Sequence, residues 1–490
     1  MVRNNYIIAH YNAADLSMLN DFNTHLDSLN IVGKSFVTLK KPLNIEGSFI
    51  YLRDSHLLTP AGVRSLDALG KLYDLNLNKV LISKSDLEHM DEFMIREPEA
   101  FEQYAKQDAV IPLIHATTLE DFYIEMKKTG VPITLSSVGK TLVLERWNEI
   151  FQKHFPYQIS GEVLMGNASD IQTPKGLFAT GDTGLYLSHY ISNYKGGRNE
   201  SFMYGMEDQI QWFDYDLAGA YTTAMTHLTL PNYQQARLLD SETVNSLTNE
   251  QFLKGYLIIN GSFKFPEDTK YPSIPCYLDK TTTVYPLQGV CVLTGPEFLL
   301  ARTQKCEVRI KSAFYIPETE REHRIPGVKK PVVYTIKPFY NIVADLQSKR
   351  REYPKGHIMN ALYKEMANSI YGNVVRGISN KKTLDLKTGD MLRISGTDLS
   401  NPVLASWTTA FIRSVIGECL HNIKKLGGKV VSTTTDGFIT NIVDLETKLL
   451  SLPEDEISLF SLFRKLRIDL TGSETTTCLE LKYKSKGIIS

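Results

Sequence analysis

VVSTTTDGFITNIVD, residues 430–444, decides the reading of this chain. Val430 and Val431 lead into three threonines. One acid and one glycine follow, then a second run of β-formers, Phe438, Ile439, Thr440, Ile442 and Val443. Asp-Gly between two such runs predicts a β-hairpin with Asp436 at its tip. A carboxylate there is either an ordinary turn residue or one member of a set completed from elsewhere in the chain.

Working outward, WFDYDLAGAYTTAM (212–225) offers a partner, with a strand expected to end at Asp216 and a helix to begin near Tyr221. Singly, each Asp reads most simply as a turn or cap. Brought together, two carboxylates can hold two divalent cations, which stabilise the attacking and leaving oxygens of an in-line phosphoryl displacement.

LYKEMANSIYGNVVRG (362–377) places Lys364, Asn368 and Tyr371 at i, i+4 and i+7 of a helix closed by Gly372. A cation, an amide and a ring on one stripe suit a triphosphate and a stacked base. A solvated face would explain Lys364 but less easily its two neighbours. Upstream, Lys349, Arg350 and Arg351 could reach the same phosphates. In YKGGRNE (194–200), Gly196 and Gly197 permit close approach to a nucleic-acid strand on which Tyr194 can stack, beside Arg198; a plain surface turn is the alternative. LELKYKSKG (479–487) sets Lys482, Tyr483, Lys484 and Lys486 at the end of a strand, either to grip a duplex backbone or as a basic edge strand.

Composition sets the bounds. The 490 residues leave room for several domains, and 42% hydrophobic with 22% charged residues is ordinary for globular proteins. No apolar run approaches the ~18–20 residues of a membrane span, and the N-terminus lacks a signal-peptide core, so no membrane partner and a cytoplasmic location are expected. Five scattered cysteines form no metal spacing and fit a reducing interior. The net charge of −1 argues against a generic polyanion binder. Between Arg321 and Lys382, however, 13 Lys and Arg stand against 4 Asp and Glu, a composition suited either to a confined phosphate groove or to a solvated helical face.

Residues 1 to about 115 alternate short strands (YIIAH, SFVTL, SFIYL, KVLI) with helical stretches. Helix is expected around 119–128 and 142–154, and strands at IQWFDYDL, FLKGYLIING, TVYPLQGVCVL and EVRIKSAFYI. Two helices at about 338–352 and 357–372, a polar hairpin-like segment at 380–396 and a helix over about 402–426 lead to the opening hairpin. A strand-rich sheet is thus interrupted by helices and resumes afterwards.

Taken in order, these motifs make the chain resemble a family B DNA polymerase, similar above all to the protein-primed branch of small phages, adenoviruses and linear plasmids. Asp216 to Tyr221 matches the first palm motif, with Gly219-Ala220 where Ser-Leu is usual. Lys364, Asn368, Ser369, Tyr371 and Gly372 match the fingers motif, and Tyr194, Gly196 and Gly197 the Tyr-x-Gly-Gly linker motif. Thr434-Thr435-Asp436-Gly437 stands where the family has Asp-Thr-Asp-Ser, and Lys482 with Tyr483 falls at the primer-contact motif. AHYNAADLSML, through Asn12 and Asp15, resembles the second motif of the family's 3′–5′ exonuclease, and FEQYAKQDAV, through Tyr104 and Asp108, the third.

The resemblance implies an α+β right-hand polymerase, with an antiparallel palm sheet and helical fingers after a partial RNase H-like α/β exonuclease domain. The expected divisions are an exonuclease-like part at 1–118, a linker at 119–200, palm with an insertion at 201–337, fingers at 338–380, and palm with a short insertion at 381–490. Two Mg2+ ions, or Mn2+, would be held by Asp216 and Asp436. Lys364 would act in catalysis and, with Arg350 and Arg351, neutralise a dNTP triphosphate. Tyr221 would exclude a 2′-hydroxyl, Leu217 would line the dNTP site, and Asn368 and Tyr371 would wall the nascent pair. Tyr194, Gly196, Gly197, Arg198, Ser369, Gly372, Lys482 and Tyr483 would touch DNA.

Partners implied are primer-template DNA, dNTPs and a terminal priming protein, contacted through an insertion near 230–335; residues 376–402 would form a second, shorter insertion. The exonuclease's Asp-x-Glu motif and the thumb have no counterpart in the sequence, which implies either a truncated chain, as a fragment or split gene would give, or an absence of proofreading, and Thr434 removes the more peripheral acid of the third palm motif. Primer-independent initiation and an inactive DNA-binding subunit are the competing functions.

Overall fold

The computed structural model describes residues 3–32, 35–73, 82–154, 189–191, 194–279, 282–324, 330–378, 382–384, 390–394, 396–453 and 458–489. The KVLI strand expected at 79–82 falls almost wholly outside them. The chain forms two compact units, each interrupted in sequence.

The first unit comprises Met1–Arg146, Leu346–Ile370 and Asn380–Ile394. Its sheet pairs Arg3–Ala9 in parallel with Ser48–Asp54, whose other edge carries antiparallel Leu43–Ile45. The helix Pro98–Glu125 starts with proline at N1, where the missing N–H has no intrahelical partner to lose. It buries Ile111, Ala116, Leu119 and Phe122 along one side. Phe122 meets Tyr363 of the helix Ile358–Val375 edge-on, with ring centroids 5.3 Å apart. A domain boundary at 118 would cut this helix, and of the expected fingers residues Leu346–Ile370 pack with this unit. Lys382–Leu384 and Met391–Arg393 pair antiparallel where the polar hairpin-like segment was expected.

The second unit comprises Trp147–Asp345, Tyr371–Ser379 and Ser395–Ser490. Its central sheet has five antiparallel strands in the order Leu479–Ile489, Met206–Leu217, Gly437–Thr440, Val430–Thr435, Arg198–Ser201. Against it lies the helix Pro402–Lys425. Asn401 caps its start, the side-chain oxygen accepting the N–H groups of Val403 and Leu404 at 3.0 and 3.1 Å. This is the one helix among the described residues long and apolar enough to cross a membrane, and its window is wholly buried within the protein. It is a core helix.

The expected insertion is built largely as a second antiparallel sheet, Gln288–Thr294, Tyr256–Lys264, Glu307–Ile316 and Arg237–Leu239, and a ribbon of Glu320–His323 with Val332–Thr335. The amphipathic helix Leu459–Thr471, where no element was expected from the sequence, packs against the core helix and buries Phe463, Leu466 and Leu470.

Candidate active site

The opening hairpin forms as two strands, Val430–Thr435 and Gly437–Thr440, with Asp436 as the residue between them. The turn is tight. Asp436 N–H donates to Thr434 C=O two residues back at 2.7 Å, and Thr435 adopts φ 59°. A β-branched residue at positive φ is strained by about 1–3 kcal/mol. Its neighbours hold it there: Thr435 N–H donates to Asn199 Oδ1 at 3.0 Å, and the residue pairs in the sheet with Arg198.

The next strand over carries Asp216. Gly437 is its cross-strand partner, and Leu217 N–H donates to Asp436 C=O at 2.9 Å, so Asp216 and Asp436 flank one hydrogen-bonded junction. A Cβ at position 437 would stand 2.6 Å from Asp216 Oδ1. Glycine therefore leaves the carboxylate its space. Because directly opposed residues share a face, Asn199, Thr434, Gly437, Asp216 and Glu480 form one row on the open side of the sheet, while Thr433, Phe438 and Tyr215 are buried on the other.

Electrostatics reflect that crowding. Burial, and then the neighbouring Asp216 charge, push the Asp436 carboxyl up to about 6. Asp214, two residues before Asp216 on the same strand face, is also raised, by burial first and Asp216 second. Lys482 Nζ lies 3.7 Å from Asp216 Oδ2 and 2.9 Å from Glu480 Oε2. Among the described residues, no three His, Cys, Asp or Glu converge tightly enough to cage a metal. A carboxylate pair fits Mg2+ nonetheless, since that ion takes one or two carboxylates and completes its shell with water and substrate phosphates. Mutual repulsion between Asp216 and Asp436 is what such a cation would relieve.

Beside the pair stands a group of tyrosines. The Tyr221 and Tyr371 rings stack at 4.4 Å and 16°, and the Tyr194 and Tyr371 hydroxyls are 3.4 Å apart. Burial, then the Asp436 charge, raise the Tyr221 hydroxyl pKa, so it stays protonated. Tyr194 C=O accepts a hydrogen bond from Tyr277 at 2.6 Å.

Beneath lies an ion pair that sequence reasoning missed. Arg413, in the middle of the core helix, donates to Lys195 and Gly196 C=O at 2.6 and 2.7 Å and to Glu297 Oε1 at 2.7 Å. Glu297 in turn accepts from Thr294 N–H and hydroxyl at 2.9 and 3.0 Å. Burial pulls the adjacent Lys195 amine down to about 8, with Glu297 opposing the shift.

Several expected roles are corrected by position. Arg198 is 1% exposed, bonded to Glu200 at 2.6 Å and laid over the Tyr285 ring at 4.1 Å, so it is a core residue and not a DNA contact. Ser369 donates to Met366 C=O at 2.8 Å and faces Gly139 with no room for a Cβ between them; it packs the first unit and is removed from the DNA contacts. Leu217 contributes backbone only, its side chain being buried. Gly196, Gly372 and Tyr483 are exposed, whereas Gly197 packs tightly on Thr435.

Lys364 and Asn368 are exposed on a helix whose other side buries Leu362, Tyr363, Met366 and Ile370. Arg350 Nε donates to Asn360 at 3.2 Å and Arg351 Nε to Gln347 C=O at 3.2 Å. All four belong to the first unit. There also, Asn12 is buried, and its N–H and that of Tyr11 donate to the buried Asp54 at 3.0 and 2.8 Å. Asp15 is exposed, while burial and then Asp108 push the Tyr104 hydroxyl up to about 12.

This arrangement, one carboxylate on a strand and a second at the turn of the neighbouring hairpin, in an antiparallel sheet backed by helices, belongs to a known architecture. The chain aligns with Phi29 DNA polymerase complexed with primer-template DNA and incoming nucleotide at a TM-score of 0.61 and 14% identity, over 98% of this chain and 76% of that one. With the same polymerase bound to single-stranded DNA the TM-score is 0.58, at the same identity and coverage. The fold is that of the family B DNA polymerases, α+β in class.

By sequence, the primer-independent DNA polymerase PolB of Escherichia coli is 30% identical over 401 residues, covering 79% of this chain and 44% of that protein. The chain thus spans less than half the length of this curated relative. No family model matches the chain.

Proposed function

We propose that the chain is a template-directed DNA polymerase, adding deoxynucleotides to a 3′-hydroxyl. The observation that carries this reading is the cross-strand adjacency of Asp216 and Asp436 within this fold. Asp216 and Asp436 would hold Mg2+ or Mn2+; bound there, the metal supplies charge stabilisation of the attacking and leaving oxygens. Lys364, with Arg350 and Arg351, neutralises the triphosphate. Tyr221 packs beneath the sugar and rejects a 2′-hydroxyl, and Asn368 and Tyr371 bound the nascent pair. The Tyr194–Gly197 loop lies along template, while Lys482 and Tyr483 hold the primer end.

Two modes of starting a chain compete. The protein-primed mode would use the 230–335 insertion as a surface for a terminal protein. The 30% identity to a polymerase named primer-independent favours initiation without any primer. A cytoplasmic site of action accords with either. Incubating the protein with template, dNTPs and Mg2+, with and without primer, tests both: products without primer establish primer-independent initiation, and products only with primer remove it. Equal incorporation by the wild type and Asp436→Asn would overturn the metal assignment.

A further inference from the structure

Lys482 does two incompatible things in this fold. Its place near the primer end asks it to face DNA, yet its ammonium leans on Asp216 at 3.7 Å and on Glu480 at 2.9 Å. Glu480 is the cross-strand partner of Asp216 on the side away from Gly437, so the two carboxylates stand side by side on the open face of the sheet. All three side chains are between a third and a half exposed. Lys482 is therefore free to move, and its contact with Asp216 is the looser of the two.

We infer that Lys482 is a built-in counter-ion that covers Asp216 until a divalent cation displaces it, and that Glu480 is the positioning residue that keeps the released ammonium beside the site. This rests on the polymerase reading and adds a coupling to it. A cation arriving at Asp216 competes with Lys482, and by reciprocity a primer phosphate that draws Lys482 away strengthens cation binding. Glu480 limits the competition by drawing the ammonium off Asp216. Without Glu480 the lysine rests on Asp216 alone and competes harder. Metal occupancy and primer engagement thus become mutually reinforcing, and an enzyme without DNA holds its metal weakly.

The test is Mn2+ binding to the full chain without DNA, followed by the loss of the free-ion electron paramagnetic resonance signal, alongside primer extension against metal concentration. Lys482→Met should tighten Mn2+ binding about 1.4- to fivefold, the range expected for one partly exposed charge pair. Glu480→Gln should weaken it by a similar factor. The deciding arm is the double variant: if Glu480 acts through Lys482, adding Glu480→Gln to Lys482→Met changes nothing further. A persistent weakening there means Glu480 acts on the metal by charge alone and overturns its assigned role. Unchanged affinity in Lys482→Met overturns the counter-ion. In primer extension, Lys482→Met should lower the metal requirement while raising KM for primer-template, a split that a mere folding defect would not produce. Failure of wild-type Mn2+ binding to depend on Asp216, judged by Asp216→Asn, would instead remove the polymerase reading, and the inference with it.

Discussion

Gly197 approaches Thr435 so closely that a Cβ added to it would lie 2.7 Å from the Thr435 Cα and 2.7 Å from its Cγ2. The Tyr194–Gly197 segment and the hairpin that carries Asp436 are thus packed together, although 238 positions separate Gly197 from Thr435 in sequence. A Cβ cannot be accommodated against backbone without movement. Gly197→Ala is expected to destabilise the protein by about 1–3 kcal/mol through overpacking and to reduce nucleotide incorporation by displacing Asp436. Urea unfolding and primer extension on the same preparation check both halves, and unchanged activity would show that the turn relaxes without moving its acid.

Asp436 should be a residue whose removal strengthens the fold. Burial and the Asp216 charge oppose its ionisation, so Asp436→Asn is expected to raise stability by about 1–2 kcal/mol at pH 8, after allowance for partial exposure. Incorporation should fall by at least a hundredfold. Thermal melting of the metal-free protein decides the first point.

The pH dependence follows with a definite sign. The folded carboxyl titrates at about 6, against 3.8 without the fold, so the folded state binds the proton more tightly. Its contribution to stability is complete below about pH 4 and disappears as the pH rises through 6. Metal binding needs the deprotonated form. Mn2+ affinity should therefore fall about tenfold per unit below pH 6, with release of close to one proton per site. Calorimetry in two buffers of different ionisation enthalpy measures that proton, and an onset nearer pH 4 would contradict the coupling.

Arg413→Met tests the support beneath the linker. It strips Glu297 of its partner in a site where both side chains are at most 3% exposed. Leaving one buried charge unpaired costs about 3–5 kcal/mol. The double variant with Glu297→Gln should recover part of the loss. Denaturant midpoints provide the comparison.

Tyr221→Ala addresses substrate choice. It removes the ring stacked on Tyr371 at 4.4 Å and is expected to raise ribonucleotide incorporation relative to deoxyribonucleotide by at least tenfold. Competition assays with paired nucleotides read the ratio directly.

Much of this was legible in the sequence because it is local. Asp-Gly between β-forming runs specifies a hairpin, and residues 402–426 read as a helix, whatever surrounds them. The meeting of Asp216 with Asp436 was a wager on pairing, and the register between their strands places them together. What escaped depends on partners far away in the chain. Arg198 reads as a surface cation until Tyr285 and Glu200 close over it. Arg413 looks like an interruption in an apolar helix until Glu297, 116 residues earlier, is placed beside it. The strain at Thr435 has no sequence signature, since threonine is ordinarily a strand former. The helix Pro98–Glu125 runs unbroken through position 118, where the resemblance placed a division, because helix propensity carries no mark of where one packed unit gives way to the next.

The central sheet is stitched from segments near residues 200, 210, 435 and 480, and the strand at its outer edge comes latest of the five in sequence. During translation the Asp216 strand must wait, both edges unpaired, while more than two hundred further residues are made before the hairpin arrives. Assembly of such distant pairings is slow, and exposed strand edges invite association with other chains. Growing cells cold, or co-producing a chaperone, should raise the yield of folded protein more than strengthening any single contact within it.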